Sequence, residues 1–149
     1  MAPLIALILG TASARAVGWL WVPFFDSWSA AVAFGLAVML LLTASAHFTE
    51  PRRAGLIATV PPRFPLPGAI VTITGVLEVL GAVGLLVPVT RFPAAICVGV
   101  LLIAMYPANV YAAGARRSPS SPTTPIVPRT LIQVVFVGAC VAVAVGTWT

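Results

Sequence analysis

This chain has no lysine, and its acids are only three: Asp26, Glu50 and Glu78. It has one histidine, His47, and two cysteines, Cys97 and Cys140. Charged residues make up 7% of the sequence, against about 25% in an ordinary soluble domain. So few charges cannot cover a surface that faces water. Each scarcity also removes a class of chemistry. A single histidine argues against a catalytic zinc site, which usually takes three protein ligands. It equally argues against a haem held by two histidines. The cysteines lack the Cys-x-x-Cys spacing of redox pairs and metal knuckles. Each lies in an apolar run, where a lone cysteine behaves as a small hydrophobe; a bridge or a redox role is the other reading. No phosphate-binding glycine loop is present, and no Ser/His/Asp arrangement can be assembled. The sequence therefore carries no catalytic constellation and leans away from an enzyme.

What the chain does have is apolar length. Of its 149 residues, 60% are hydrophobic. At about 20 residues per crossing plus loops, that suits four or five transmembrane helices. Lipid is then the main solvent and the bilayer the first partner. The net charge of +5 comes from eight arginines. In a soluble protein it would suggest nucleic acid; in a membrane chain it encodes topology, and no nucleic-acid partner is expected. Richness in Ala, Val and Arg without Lys suits a GC-rich bacterial genome.

Residues 2–22 are apolar apart from Thr11, Ser13 and Arg15. A signal peptide would want a basic start, which is missing, although Ala12-Ser13-Ala14 resembles a cleavage site. An interfacial helix would want a broad polar face, also missing. A full or tilted span fits the length, with Arg15 as its cost unless it snorkels, faces the bundle or pairs with an acid. Pro23 and Asp26-Ser27 end it, near the interfacial aromatics Trp19, Trp21 and Trp28. The second span is 30–48, with small residues Ala33, Ala37, Ala44 and Ser45 for close helix contact. Glu50-Pro51-Arg52-Arg53 leads into water. The loop then carries alternating prolines, Pro61-Pro62-Arg63-Phe64-Pro65-Leu66-Pro67, which predict an extended, polyproline-like path. The third span, 67–88, holds Glu78 near its middle. Gly75, Glu78 and Ala82 share one helical face with Thr74 and Gly81 beside them. A face of small residues can approach a neighbour and bring the carboxyl inside the bundle.

A short turn at Val89-Thr90-Arg91 leads to the fourth span, 92–113. Pro107 should kink its last turns and free a carbonyl, with Asn109 or Tyr106 near to use it. A proline-rich polar loop, 114–128, is expected to be mobile in part. The last span runs from about Arg129 to Trp148, and Gly138, Ala142 and Gly146 predict a packing stripe.

The arginines set an orientation. Arg52, Arg53 and Arg63 fall in one long loop, and Arg116, Arg117 and Arg129 in or beside the other. An even number of crossings separates these loops, and the opposite side holds only Arg91. This bias places loops 49–66 and 114–128 in the cytoplasm of a multi-pass protein of the plasma membrane. His47, Tyr106, Asn109, Arg129 and Gln133 then all lie at helix ends on that side. Glu78 lies ~16 Å deeper than Pro67 at the helical rise per residue. These six residues are the candidate ligand-binding set.

Five segments in order resemble one family: Ala46-His47-Phe48-Thr49, the Val60–Pro65 loop, Thr74–Leu86 around Glu78, Tyr106-Pro-Ala-Asn-Val-Tyr111, and Pro128-Arg-Thr-Leu-Ile-Gln133. Together, over roughly residues 30–148, they look like the DoxX family of small integral membrane proteins. The resemblance implies an all-α fold, a membrane four-helix bundle over 30–149. Residues 1–29 would add an N-terminal hydrophobic helix and a short loop. It also implies an accessory subunit of a membrane redox system linked to quinone, which makes quinone the one cofactor to test. Two other functions stand beside this one. One is a non-catalytic assembly or structural subunit that binds another membrane protein or a second copy of itself. The other is a binder of a small hydrophobic ligand. A cavity at the polar cluster favours a ligand, and a solid bundle favours assembly.

For each candidate residue a plain structural role competes with the functional one. Glu78 can be a packing carboxyl, neutral or paired with Arg15 or His47, since burial favours the uncharged form of an acid. Otherwise it is a proton relay or a partner for a quinone head group. His47 can simply cap its helix. Asn109 and Gln133 can join helices by hydrogen bonds, which average ~0.6 kcal/mol in membranes. Arg129 can serve topology, or hold an anion or lipid head group.

Overall fold

Five long helices and one short one account for the regular structure of the computed structural model, which describes residues 1–114, 119–121 and 124–148. Arg116 and Arg117, counted in the arginine bias, lie outside the described residues. The long helices are α1 (Ala2–Leu20), α2 (Trp28–Phe48), α4 (Pro67–Leu86), α5 (Arg91–Gly114) and α6 (Ile126–Trp148); the short one is α3 (Arg52–Thr59). A single 3-10 turn, Pro23–Phe25, separates α1 from α2. The fold is all-helical among the described residues. Each long helix is long and apolar enough to cross a membrane, as expected of a multi-pass membrane protein.

Local chemistry fixes the helix ends. The Ser27 hydroxyl accepts from the Ala30 amide at 3.1 Å and caps α2, satisfying one orphan donor of the first turn. Proline opens α4 at its first position, where no amide donor is lost. Leu66, just before it, takes a left-handed conformation with φ 54°. Between α4 and α5 the turn is closed by side chains. Thr90 donates to the Gly84 carbonyl at 2.9 Å, and Arg91 Nε donates to the Leu85 carbonyl at 3.0 Å. These satisfy carbonyls that end a helix without partners.

In the bundle, α2, α4, α5 and α6 form a ring in which each helix packs on the next and α6 returns to α2. The first helix packs outside the ring, against α2. Their crossing is close because a Cβ on Gly10 would lie 2.9 Å from the Gly35 Cα. Arg15 finds an acid at this end, but not Glu78. It pairs with Asp26 at 3.2 Å and lies over the rings of Trp19 and Trp28. Leu36, Leu40, Leu85, Val98, Cys140 and Val143 fill the ring's interior. Without water to expel, close contact and interhelical hydrogen bonds hold such a core in lipid. Large apolar side chains such as Ile8, Leu80, Val100, Ile103 and Val134 face outward.

Four expectations need correction. Residues 52–59 form α3 where a plain loop was expected. Its first turn is stabilised by Glu50, whose Oε2 accepts from the Ala54 amide at 3.1 Å. The prolines after it do not run as an extended polyproline segment. Phe64 donates its amide to the Pro61 carbonyl at 3.0 Å and makes a turn. The last helix starts at Ile126, three residues early, because Pro128 sits in its first turn, where proline is tolerated. Of the Gly138–Ala142–Gly146 stripe, Gly146 alone packs closely within the bundle, where a Cβ would lie 3.0 Å from the Ser29 Cβ of α2. Gly138 and Ala142 are exposed, and the face turned inward carries Phe136, Cys140, Val143 and Ala144.

Candidate functional site

Gly75 sets the first wall of the site. A Cβ there would lie 2.6 Å from the His47 Cβ and 3.0 Å from its Cγ. Only a bare backbone lets α4 approach the end of α2 this closely. His47 is buried in the contact. Its Nδ1 lies 2.7 Å from the Val71 carbonyl and 3.2 Å from the Thr74 hydroxyl oxygen. A carbonyl can only accept, so Nδ1 carries the proton and Nε2 is left for another partner. Nε2 faces Glu78 Oε1 at 3.7 Å.

Glu78 is buried on the face expected for it, with Gly75 and Ala82. Its second oxygen, Oε2, lies 2.8 Å from the Thr43 hydroxyl. Thr43 also lies 3.0 Å from the Leu40 carbonyl and 3.2 Å from that of Met39. One hydroxyl proton serves one acceptor at a time. If Glu78 is ionised, Thr43 donates to it. If Glu78 is protonated, the acid donates to Thr43, which turns to its own helix. The Oε2–Thr43 contact is therefore kept in either protonation state of Glu78.

Arg53, from α3, locks this wall from behind. Nη1 donates to the His47 carbonyl at 2.6 Å, and Nη2 to the Gly68 carbonyl at 3.3 Å and the Thr72 hydroxyl oxygen at 3.0 Å. A cation at the end of α2 also suits the negative pole of that helix. No motif marks Thr43 or Arg53. Thr43 carried a usable signal, since it precedes His47 by one helical turn. Arg53 carried none, because nothing in Arg52-Arg53 says which side chain turns inward.

The opposite wall is α5 against α6. Arg129 Nη1 donates to Asn109 Oδ1 at 3.2 Å, while Nε and Nη2 both donate to the Thr124 carbonyl at 3.3 Å. Gln133 Nε2 donates to the Leu102 carbonyl at 2.7 Å. The Tyr106 hydroxyl lies 2.7 Å from that of Thr130. The helix continues through Pro107. Tyr106 and Asn109 reach across to α6 instead of turning to a freed carbonyl of their own helix.

Between the walls lies a partly open cavity of about 630 Å³. That is the size of a small-molecule site, typically 300–1,000 Å³. His47, Glu78, Asn109, Arg129 and Gln133 all line it. Tyr106, the sixth candidate, does not; it acts within the α5–α6 wall. Leu56 of α3 and Pro61 and Phe64 of the turn after it close one side, and the start of α1 contributes Leu4. Most of the remaining lining is apolar, including Met39, Met105, Ile132 and Phe136. Cys97 is exposed and Cys140 buried, and both are free. Among the described residues no cluster of His, Cys, Asp or Glu could hold a metal ion.

A family model described as Domain of unknown function (DUF8561) matches residues 36–144, and the chain belongs to that family. The match runs from within α2 into α6 and contains every polar residue of both walls. No curated protein and no solved structure matches the chain.

Proposed function

We propose that this protein binds a small amphipathic molecule inside its helix bundle. The observation that carries this reading is the cavity of about 630 Å³ lined by five of the six residues singled out from the sequence. A mostly apolar chamber with a few convergent polar groups is the usual form of a small-molecule site. A purely structural subunit has no need of such a space, because unfilled volume forfeits packing contacts. The arginine bias supports a bacterial plasma membrane with loops 49–66 and 114–128 on the cytoplasmic side.

The linked-redox role is the second reading, and the Glu78–His47 pair favours it. An acid and an imidazole 3.7 Å apart can exchange one proton with a carbonyl or hydroxyl head group placed beside the pair, within hydrogen-bond reach of both. A quinone is such a molecule, and the DoxX-like motifs point to a quinone-linked accessory subunit. In either reading the partner is another membrane protein or a second copy, for which the exposed face at Gly138 and Ala142 leaves room.

The test is purification in mild detergent, with co-purifying small molecules identified by mass spectrometry and binding of a short-chain quinone measured. Wild type should carry a ligand. Ala108→Phe, which fills the cavity from α5, should lose it while keeping its helical content. If neither protein carries or takes up any such molecule, the binding reading fails.

A further inference from the structure

We infer that the ligand is an amphipathic anion, a carboxylate or phosphate head on an apolar chain, and that its head sits on Arg129. This rests on reading the cavity as a ligand site and narrows it to a chemical class. Arg129 is half-buried and lines the cavity. Among the described residues its guanidinium donates to neutral oxygens, those of Asn109 and Thr124. The chain has three acids, and each is engaged elsewhere. Asp26 pairs with Arg15 at the other end of the bundle. Glu50 is exposed and accepts from the Ala54 amide. Glu78 lines the same cavity but stands against His47 and Thr43, with no ion pair to Arg129.

A cation withdrawn from water with no counter-charge costs free energy that an incoming anion recovers. Charge-assisted bonds to a planar guanidinium are also the stronger and more directional kind. Asn109 holds the guanidinium in place. Met105, Ile132 and Phe136 offer the apolar surface for a chain. Arg52, Arg53 and Arg63 lie at the same end, so the local field draws anions toward the opening.

The experiment uses the full-length protein in neutral detergent, with dansylaminoundecanoic acid and its methyl ester as probes of one length and two charges. The acid should bind saturably and at least about tenfold tighter than the ester. Arg129→Gln should abolish that preference, and Arg129→Lys should keep part of it. Equal saturable binding of acid and ester by wild type overturns the anion and leaves the cavity reading intact. Binding of neither probe overturns both. The wild-type comparison decides even if a variant does not fold. Competition then separates the sources of the anion. Displacement by oleate identifies a free fatty acid, and displacement by phosphatidylglycerol identifies a lipid head group. Displacement by neither overturns the inference.

Discussion

Replacing Gly75 with alanine tests whether the close approach of α4 to α2 builds the site. The new methyl would start 2.6 Å from the His47 Cβ, 3.0 Å from its Cγ and 3.0 Å from Phe48 Cε2. The shortest ordinary van der Waals contact for a Cβ is 3.4 Å, so His47 and α4 must separate by about 0.8 Å. The Cβ of His47 is fixed to the α2 backbone, so a rotamer change gives no relief. The Nδ1 to Val71 carbonyl bond is now 2.7 Å, and a shift of that size along it reaches the limit of hydrogen bonding. Overpacking of this kind costs about 1–3 kcal/mol. Alanine returns up to about 1 kcal/mol through its better helix propensity. The net expectation is a loss of about 1–2 kcal/mol. Gly138→Ala is the control, because nothing lies within 4 Å of a Cβ there, and it should be neutral or slightly stabilising. Thermal unfolding in one detergent, followed by circular dichroism, compares the two. The alanine at 75 should melt several degrees below wild type and the one at 138 should not. Equal melting of both variants refutes the claim that Gly75 sets the wall.

Two further outcomes follow from the same geometry. Glu78→Gln keeps a group that can bond Thr43 and should change stability by less than about 1 kcal/mol, whereas Glu78→Leu leaves His47 Nε2 facing carbon and should cost about 1–3 kcal/mol. Chemical denaturation of both would show it, and identical midpoints would remove Glu78 from the wall's energetics. Arg53→Gln should loosen α3, because it removes donors to the His47 and Gly68 carbonyls and to Thr72. Faster hydrogen exchange over residues 52–66 would report it, while Arg52→Gln, on the exposed side, should leave exchange unchanged.

The spans were legible because an apolar run of about 20 residues has few alternatives in lipid. The inward face of α4 was legible for a related reason, since small residues beside a carboxyl leave it one sensible direction. The outward stripe at Gly138 and Ala142 was not, because small residues show that a helix can be approached, not by what. The helix α3 was hidden by its neighbours. Its prolines read as loop, yet they stand outside Arg52–Thr59 and only bound it. The site was half legible. Polar residues at one end of several helices implied a cluster, but whether they packed on one another or enclosed space depends on the apolar residues between them. Glu78's choice of Thr43 and His47 over Arg15 depends likewise on the register of two helices far apart in sequence.

The close filling around Leu36, Leu85, Val98 and Val143 lies toward one end of the same helices whose other ends enclose the cavity. The apolar filling and the chamber thus lie in different halves of the same helices. Substitutions at Met105, Ile132 or Gln133 change the lining of the chamber while the filled half keeps the helices in register. A related chain could inherit the architecture unchanged and differ wholly in the shape and polarity of its chamber.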